Sequence, residues 1–245
     1  MCLSMGVTIA MVGLGAGATA VTLHSRAPAA VPATFAYFTL MEGLQGWGYT
    51  HLDACGLPEN QLSALLSYLH ISFQPFFINA FAMALAASRV ATPMRVAVWI
   101  GCGMSAVAML LQVYPFAWAG SCIAGQALCG EALCTLRGTW HLGWAIPYTD
   151  IIPPLRLAPD VALPFPSYML AAFGLPLLYG AWRFALFHLL AGPGLAALLT
   201  NNPYEMPAVW CLFSIALVSV WFSPWLRRQI GGAAACGPGL RGGVA

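Results

Sequence analysis

The sequence predicts an all-α fold: a polytopic integral membrane protein with seven transmembrane helices, its N-terminus outside and its C-terminus inside. Three observations carry that expectation. Of 245 residues, 60% are hydrophobic and only 7% are charged, with a mean hydropathy of +0.80; a soluble domain carries about 25% charged residues and could not cover its surface with so few. Several apolar runs approach the ~20 residues that a helix needs to cross a bilayer. The arginines fall in alternate loops, as they do where positive charge stays on the cytoplasmic side.

The spans are expected near residues 5–23, 33–50, 62–87, 96–114, 161–180, 182–200 and 207–225. The first is not a signal peptide, because no positive charge precedes its apolar core. Residues 161–200 are too long for one crossing, and Gly180 and Arg183 mark the turn. Gly192, Pro193 and Gly194 should kink or shorten the sixth span. Residues 1–230 then form one membrane domain with a long outer loop at about 115–160, and the Gly- and Ala-rich tail, 231–245, is expected to be disordered. No internal repeat is visible.

With the N-terminus outside, Arg26, Arg89, Arg95, Arg183, Arg227, Arg228 and Arg241 fall inside. Arg137 and Arg156 fall in the long outer loop, where the rule is weak. Asp53, Glu59, Glu131, Asp150, Asp160 and Glu205 all fall outside. The chain has nine Arg and no Lys. That excludes a Walker phosphate loop and Schiff-base chemistry, and as a composition it points to a bacterium with a GC-rich genome. No basic cluster with interleaved aromatics marks a nucleic-acid partner.

Of eight Cys, Cys55, Cys122, Cys129 and Cys134 lie in the two main outer loops. Disulfides persist in oxidising compartments, so two disulfides bracing these loops are expected, with the pairing open among three connectivities. Unpaired cysteines or a metal site are the alternatives, but no C-x-x-C spacing appears. Cys2, Cys102, Cys211 and Cys236 read as filler or tail residues. In the long outer loop, Trp140, Trp144 and Tyr148 recur every four residues, which reads as a helical lid lying in the membrane interface. His141 reads there as an ordinary interfacial histidine.

The chemistry-bearing residues sit inside the spans. Ser63, Ser67, His70 and Gln74 occupy one face of the third span, and Glu42, Gln45 and Tyr49 one face of the second. A carboxylate at the bilayer centre costs about 2.5–3.5 kcal/mol on insertion scales, so it should face the bundle interior and be paired, protonated or metal-bound. Glu42 and His70 each lie about eight residues, or ~12 Å, from the outer end of their spans. They are expected to face each other, with Gln74 one turn deeper. His188, ~18 Å deep, is expected to join them. Glu42, His70 and His188 are thus candidate ligands for a divalent metal ion, and the two histidines candidate axial ligands of a haem. Interhelical hydrogen bonding alone, or a proton or substrate path, accounts for the same residues.

The start MCLS, the Glu42-x-x-Gln45 of the second span and LSYLHISFQPFFINAF resemble an uncharacterised family of small bacterial multi-pass membrane proteins. The likeness continues through LLQVYPFAWAGSC, GTWHLGW and NNPYEMPAVWCLFS, nearly the whole chain. It implies a membrane location and no assigned activity. The seven-helix hydrolases that include alkaline ceramidases and adiponectin-type receptors are similar in helix count and buried metal; their last helix carries paired histidines, which the seventh span here lacks.

The functional expectation is an integral protein of the cell membrane, a bacterial inner membrane, partnered by the lipid bilayer. Its activity is left open, and a polar pocket near the outer face is lined by Gln45, Ser67 and Gln74. The alternatives are a metal-dependent hydrolase acting on a lipid or small amphiphile, and a small-molecule or proton transporter.

Overall fold

The computed structural model describes residues 4–86, 90–158 and 161–231. The expectations for Cys2, Arg89, Asp160, Cys236, Arg241 and a disordered tail from residue 232 onward lie outside those residues. Helices dominate: α1 (Met5–His24), α2 (Ala30–Gly48), α3 (Pro58–Leu85), α4 (Thr92–Val113), α5 (Pro166–Met169), α6 (Leu175–Leu178), α7 (Trp182–Leu189), α8 (Leu195–Leu199), α9 (Met206–Phe213), α10 (Ala216–Phe222) and α11 (Pro224–Gly231). π-helical turns join α5 to α6 at Leu170–Gly174 and α7 to α8 at Leu190–Gly194. The described residues thus form seven successive rods and a terminal α11.

Proline opens several of these helices. It stands in the first turn of α3, α4, α5, α6 and α9, where its missing N–H is one that no helical partner would satisfy. The two interior prolines are handled differently. Pro75 sits within continuous α3, whereas Pro193 lies inside the π-turn after α7, a local re-registering that reassigns the freed backbone groups. The turn expected at Gly180 is present, with Gly180 at φ +80°, a backbone conformation glycine adopts without steric cost.

Among the described residues three helices are long and apolar enough to cross a membrane: Met5–His24, Thr92–Val113 and Trp182–Leu199. A fourth passes if the bent pair Met206–Phe222 and Pro224–Gly231 is taken as one.

The all-α expectation needs one correction. The segment between α4 and α5 is a compact cap containing two antiparallel hairpins, β1 (Cys134–Arg137) with β2 (Leu142–Ala145) and β3 (Leu155–Ala158) with β4 (Val161–Leu163). The helical lid read from Trp140, Trp144 and Tyr148 is a hairpin instead: a spacing of four also keeps residues on one side of a strand of period two. Trp144 and Tyr148 are buried in the core.

The core runs from the cap through the bundle. Phe35 of α2 meets Phe81 of α3 and Phe222 of α10, and Phe81 also meets Phe184 of α7. The cap closes the end where α2 finishes and α3 starts. The opposite end gathers the last residues of α3, the α6–α7 turn and α11.

Candidate functional site

The histidine, glutamine and asparagine of α3 each reach a different neighbour. His70 and Tyr37 of α2 form a reciprocal brace: the Tyr37 hydroxyl donates to the His70 carbonyl at 2.6 Å, and His70 Nε2–H donates to the Tyr37 carbonyl at 2.7 Å. Their rings stack with centroids 3.8 Å apart. Gln74 accepts from the Tyr168 hydroxyl of α5 at 2.7 Å and donates to Cys211 Sγ of α9 at 3.4 Å. Asn79 donates to the carbonyls of Pro75 and Ala171, each at 2.9 Å, and accepts from the Tyr179 hydroxyl at 2.8 Å. Polar groups buried together in an apolar bundle must satisfy one another, and α3 does so by pinning three other rods.

A second network joins α2 to the cap. Gln45 Nε2 donates to the Ala208 carbonyl at 3.3 Å, which turns its Oε1 toward His141 Nε2 at 2.6 Å. An amide oxygen only accepts, so His141 carries its proton on Nε2. Nδ1 is then an acceptor, and the Tyr49 hydroxyl donates to it at 2.6 Å. The Leu142 amide bonds that same hydroxyl.

His141 is held in turn by Glu205, fully buried at the start of α9. Its carboxylate accepts from the backbone amides of Thr139 at 3.2 Å, of Trp140, and of His141 at 2.5 Å, and from the Thr200 hydroxyl at 2.9 Å. The β1–β2 turn is thus a cradle of backbone N–H groups around an anion. Gly138 is required there, since a Cβ would lie 2.4 Å from the His141 carbonyl and 2.5 Å from the Glu205 carboxyl carbon.

The cap is also stapled to α3. Asn60 pairs with the Thr135 backbone of β1 in both directions, at 2.9 Å each, and Ser63 bonds the Thr135 hydroxyl at 2.7 Å. Beside them lies the disulfide Cys55–Cys134, and a second, Cys122–Cys129, closes a small loop of the cap. Cys55, Cys122, Cys129 and Cys134 are therefore all paired. Cys102 and Cys211 are free and buried.

Glu42 lies one helical turn from Gln45, only 1% exposed, and neither carboxyl oxygen has a hydrogen-bond partner among the described residues. It is close enough to Cys211 and Tyr49 to act on both electrostatically. The expected pairing of Glu42 with His70 is not made, because His70 turns its Nε2–H to the Tyr37 carbonyl. Ser67 is buried, its hydroxyl also without a partner among the described residues.

His188 accepts from the Trp210 indole at 3.4 Å and packs among Phe173, Phe184 and Trp210. Among the described residues no three His, Cys, Asp or Glu side chains come together in a ligand cluster. His70 Nε2 donates to the Tyr37 carbonyl and His188 Nε2 accepts from the Trp210 N–H, while the Nδ1 atom of each ring is buried with no partner among the described residues.

Sequence reasoning missed His141, Glu205 and Asn60 as members of the site. One signal for Glu205 was available: it is a lone acidic residue beside the apolar run of α9.

The chain belongs to a family of unknown function (DUF5765), which matches residues 6–231. No curated protein and no solved structure matches it. The resemblance to an uncharacterised family therefore has its counterpart here, and the likeness to ceramidase- and adiponectin-receptor-type hydrolases has none.

Proposed function

We propose that this chain is a multi-pass membrane protein in which all seven rods lie in the bilayer, with the disulfide-stapled cap outside and the arginine-bearing end inside. Glu42 is then the working group of a proton or small-molecule site beneath the cap. α2 and α3 miss the apolarity of a simple span because their polar residues point inward, where they are buried. Their lengths suit a crossing: 28 residues of α3 extend ~42 Å, against a hydrocarbon core of about 30 Å. The lipid-facing surface is supplied by residues such as Ile9, Ile100, Met104, Leu190 and Leu198, all exposed. The disulfides agree with an oxidising compartment on the cap side.

The observation that carries the site is the Glu42 carboxyl. Gln45, one turn away, is bonded through both its amide oxygen and its amide nitrogen, while both Glu42 oxygens are buried without a partner among the described residues. An ionisable side chain inside a membrane bundle marks an ion or substrate path more often than a structural contact. The group sits one turn below the Gln45–His141–Tyr49 latch, so opening that latch exposes it from the cap side.

The test is proton uptake in proteoliposomes carrying a pH-sensitive dye. Under an imposed pH gradient the protein dissipates the gradient and Glu42→Gln does not, while the variant keeps its thermal midpoint. Equal dissipation by the variant removes Glu42 from the path.

A further inference from the structure

We propose that α11 lies on the inner membrane surface and that Arg183, Arg227 and Arg228 together take the headgroups of anionic phospholipids. This rests on the membrane reading above and adds a lipid partner to it. The chain turns by 99° between Phe222 and Pro224. The cause is local: Ser223, the residue before a proline, is held in an extended conformation at ψ 110°, and its hydroxyl accepts from the Leu226 amide at 3.3 Å as the cap of the new helix. A helix at right angles to its span runs along the membrane surface.

The faces of α11 fit that placement. Leu226 packs against the core and Ile230 is buried, whereas Trp225 is 61% exposed and Arg228 is exposed. Arg183 donates to the Gln229 carbonyl at 3.2 Å, which ties the start of α7 to α11. Trp182 beside it is 54% exposed. Exposed tryptophans at one level are the usual anchors at the lipid–water interface.

Among the described residues the charge at this end has no acidic counterpart. The ion pair among the described residues is Arg137–Asp53, in the cap. Arg183 stacks on Trp182 at 5.3 Å and Arg227 on Trp221 at 5.2 Å, which leaves guanidinium edges to donate. Arg227 Nε has no partner among the described residues. Between the α6–α7 turn, the end of α3 and α11 lies a cavity of about 250 Å³, bordered by Arg183, Trp182, Gly180, Ala86 and Ile230. Arg183 borders this recess, and Arg227 and Arg228 stand on the adjoining α11, where Arg228 Nε donates to the Pro224 carbonyl at 3.3 Å and the residue stays exposed; planar guanidinium groups beside such a recess fit a phosphate diester.

The experiment uses the full chain in vesicles of phosphatidylcholine with increasing phosphatidylglycerol. Quenching of Trp225 by brominated phosphatidylglycerol and by brominated phosphatidylcholine is read as the difference from Trp225→Phe. The protein should prefer phosphatidylglycerol, and the preference should fall about five-fold for each arginine changed to Gln, with Arg→Lys at the stacked Arg183 and Arg227 restoring only part of it. Equal quenching by both lipids, or an unchanged preference in Arg183→Gln/Arg227→Gln/Arg228→Gln, overturns the proposal. If alkaline carbonate strips the wild-type chain from the vesicles, the membrane reading itself fails, which is a separate result.

Discussion

At the scale of single residues, one carbonyl sets the state of three side chains. Ala208 orients Gln45, Gln45 places the proton of His141, and His141 receives the hydroxyl of Tyr49. Removing the ring by His141→Ala leaves buried acceptor and donor groups unpaired, so it should destabilise the protein by about 1–3 kcal/mol for each group orphaned. Tyr49→Phe removes the hydroxyl that bonds His141 and the Leu142 amide but keeps the ring in place, and should cost less. Glu205→Gln tests the cradle: an amide cannot accept at both ends, so one part of the turn amides loses its partner and the thermal midpoint falls. An unchanged midpoint in Glu205→Gln contradicts the anion cradle. His70→Ala should cost only about 0.6–1.7 kcal/mol, the range of interhelical hydrogen bonds measured in membranes. The polar stripes of α2 and α3 were legible because burial of a polar group is written in helical spacing. Their partners were not. Which carbonyl His70 meets depends on the rotation of α2 against α3 to within a fraction of a turn, and a pattern of period 3.6 does not carry that.

At the scale of elements, three of the expected spans, 5–23, 96–114 and 182–200, coincide with helices long and apolar enough to cross a membrane among the described residues, whereas the range 161–180 holds only the shorter helix Pro166–Leu178. The cap hairpins were not legible, since Trp140, Trp144 and Tyr148 satisfy both periods, and the strands are four residues long. The cysteines announced a braced cap, while the pairing needed the fold, which brings the α2–α3 loop onto β1.

The two disulfides should differ in effect. Cys55–Cys134 spans 79 residues and Cys122–Cys129 only 7. Loop-closure entropy makes the longer one about 2 kcal/mol more stabilising. Cys55→Ser/Cys134→Ser should therefore lower the denaturation midpoint more than Cys122→Ser/Cys129→Ser, and the reverse order would show that chain entropy is not the main term.

Alkaline stability belongs to the cap as well. Burial, with the Asp150 charge adding to it, pushes the Tyr148 phenol above its ordinary value, and an unfolded tyrosine ionises near about 10. Between those values the unfolded state holds fewer protons. The contribution of Tyr148 is intact below about pH 10 and is lost as pH rises toward the folded value. Melting curves across that range should show a steeper loss for the wild type than for Tyr148→Phe.

At the scale of the whole molecule, the chain has two unlike ends. One carries the cap, two disulfides and the described acidic residues Asp53, Glu59, Glu131, Asp150 and Glu205; the other carries Arg26, Arg95, Arg183, Arg227 and Arg228. Between them runs a bundle whose polar groups are turned inward and bonded, apart from Glu42 and a few hydroxyls and ring nitrogens. Such an arrangement suits a bilayer, where exposed polar groups are costly and interior ones must satisfy each other. It also places Glu42 between the two ends, below a latch that belongs to the cap. The measurement that tests this most directly is a pair of fusions to a reporter that is active only in an oxidising compartment, one made within the cap after Trp118 and one after Gln229. The account predicts activity for the cap fusion and none for the fusion after Gln229; strong activity after Gln229 would contradict it.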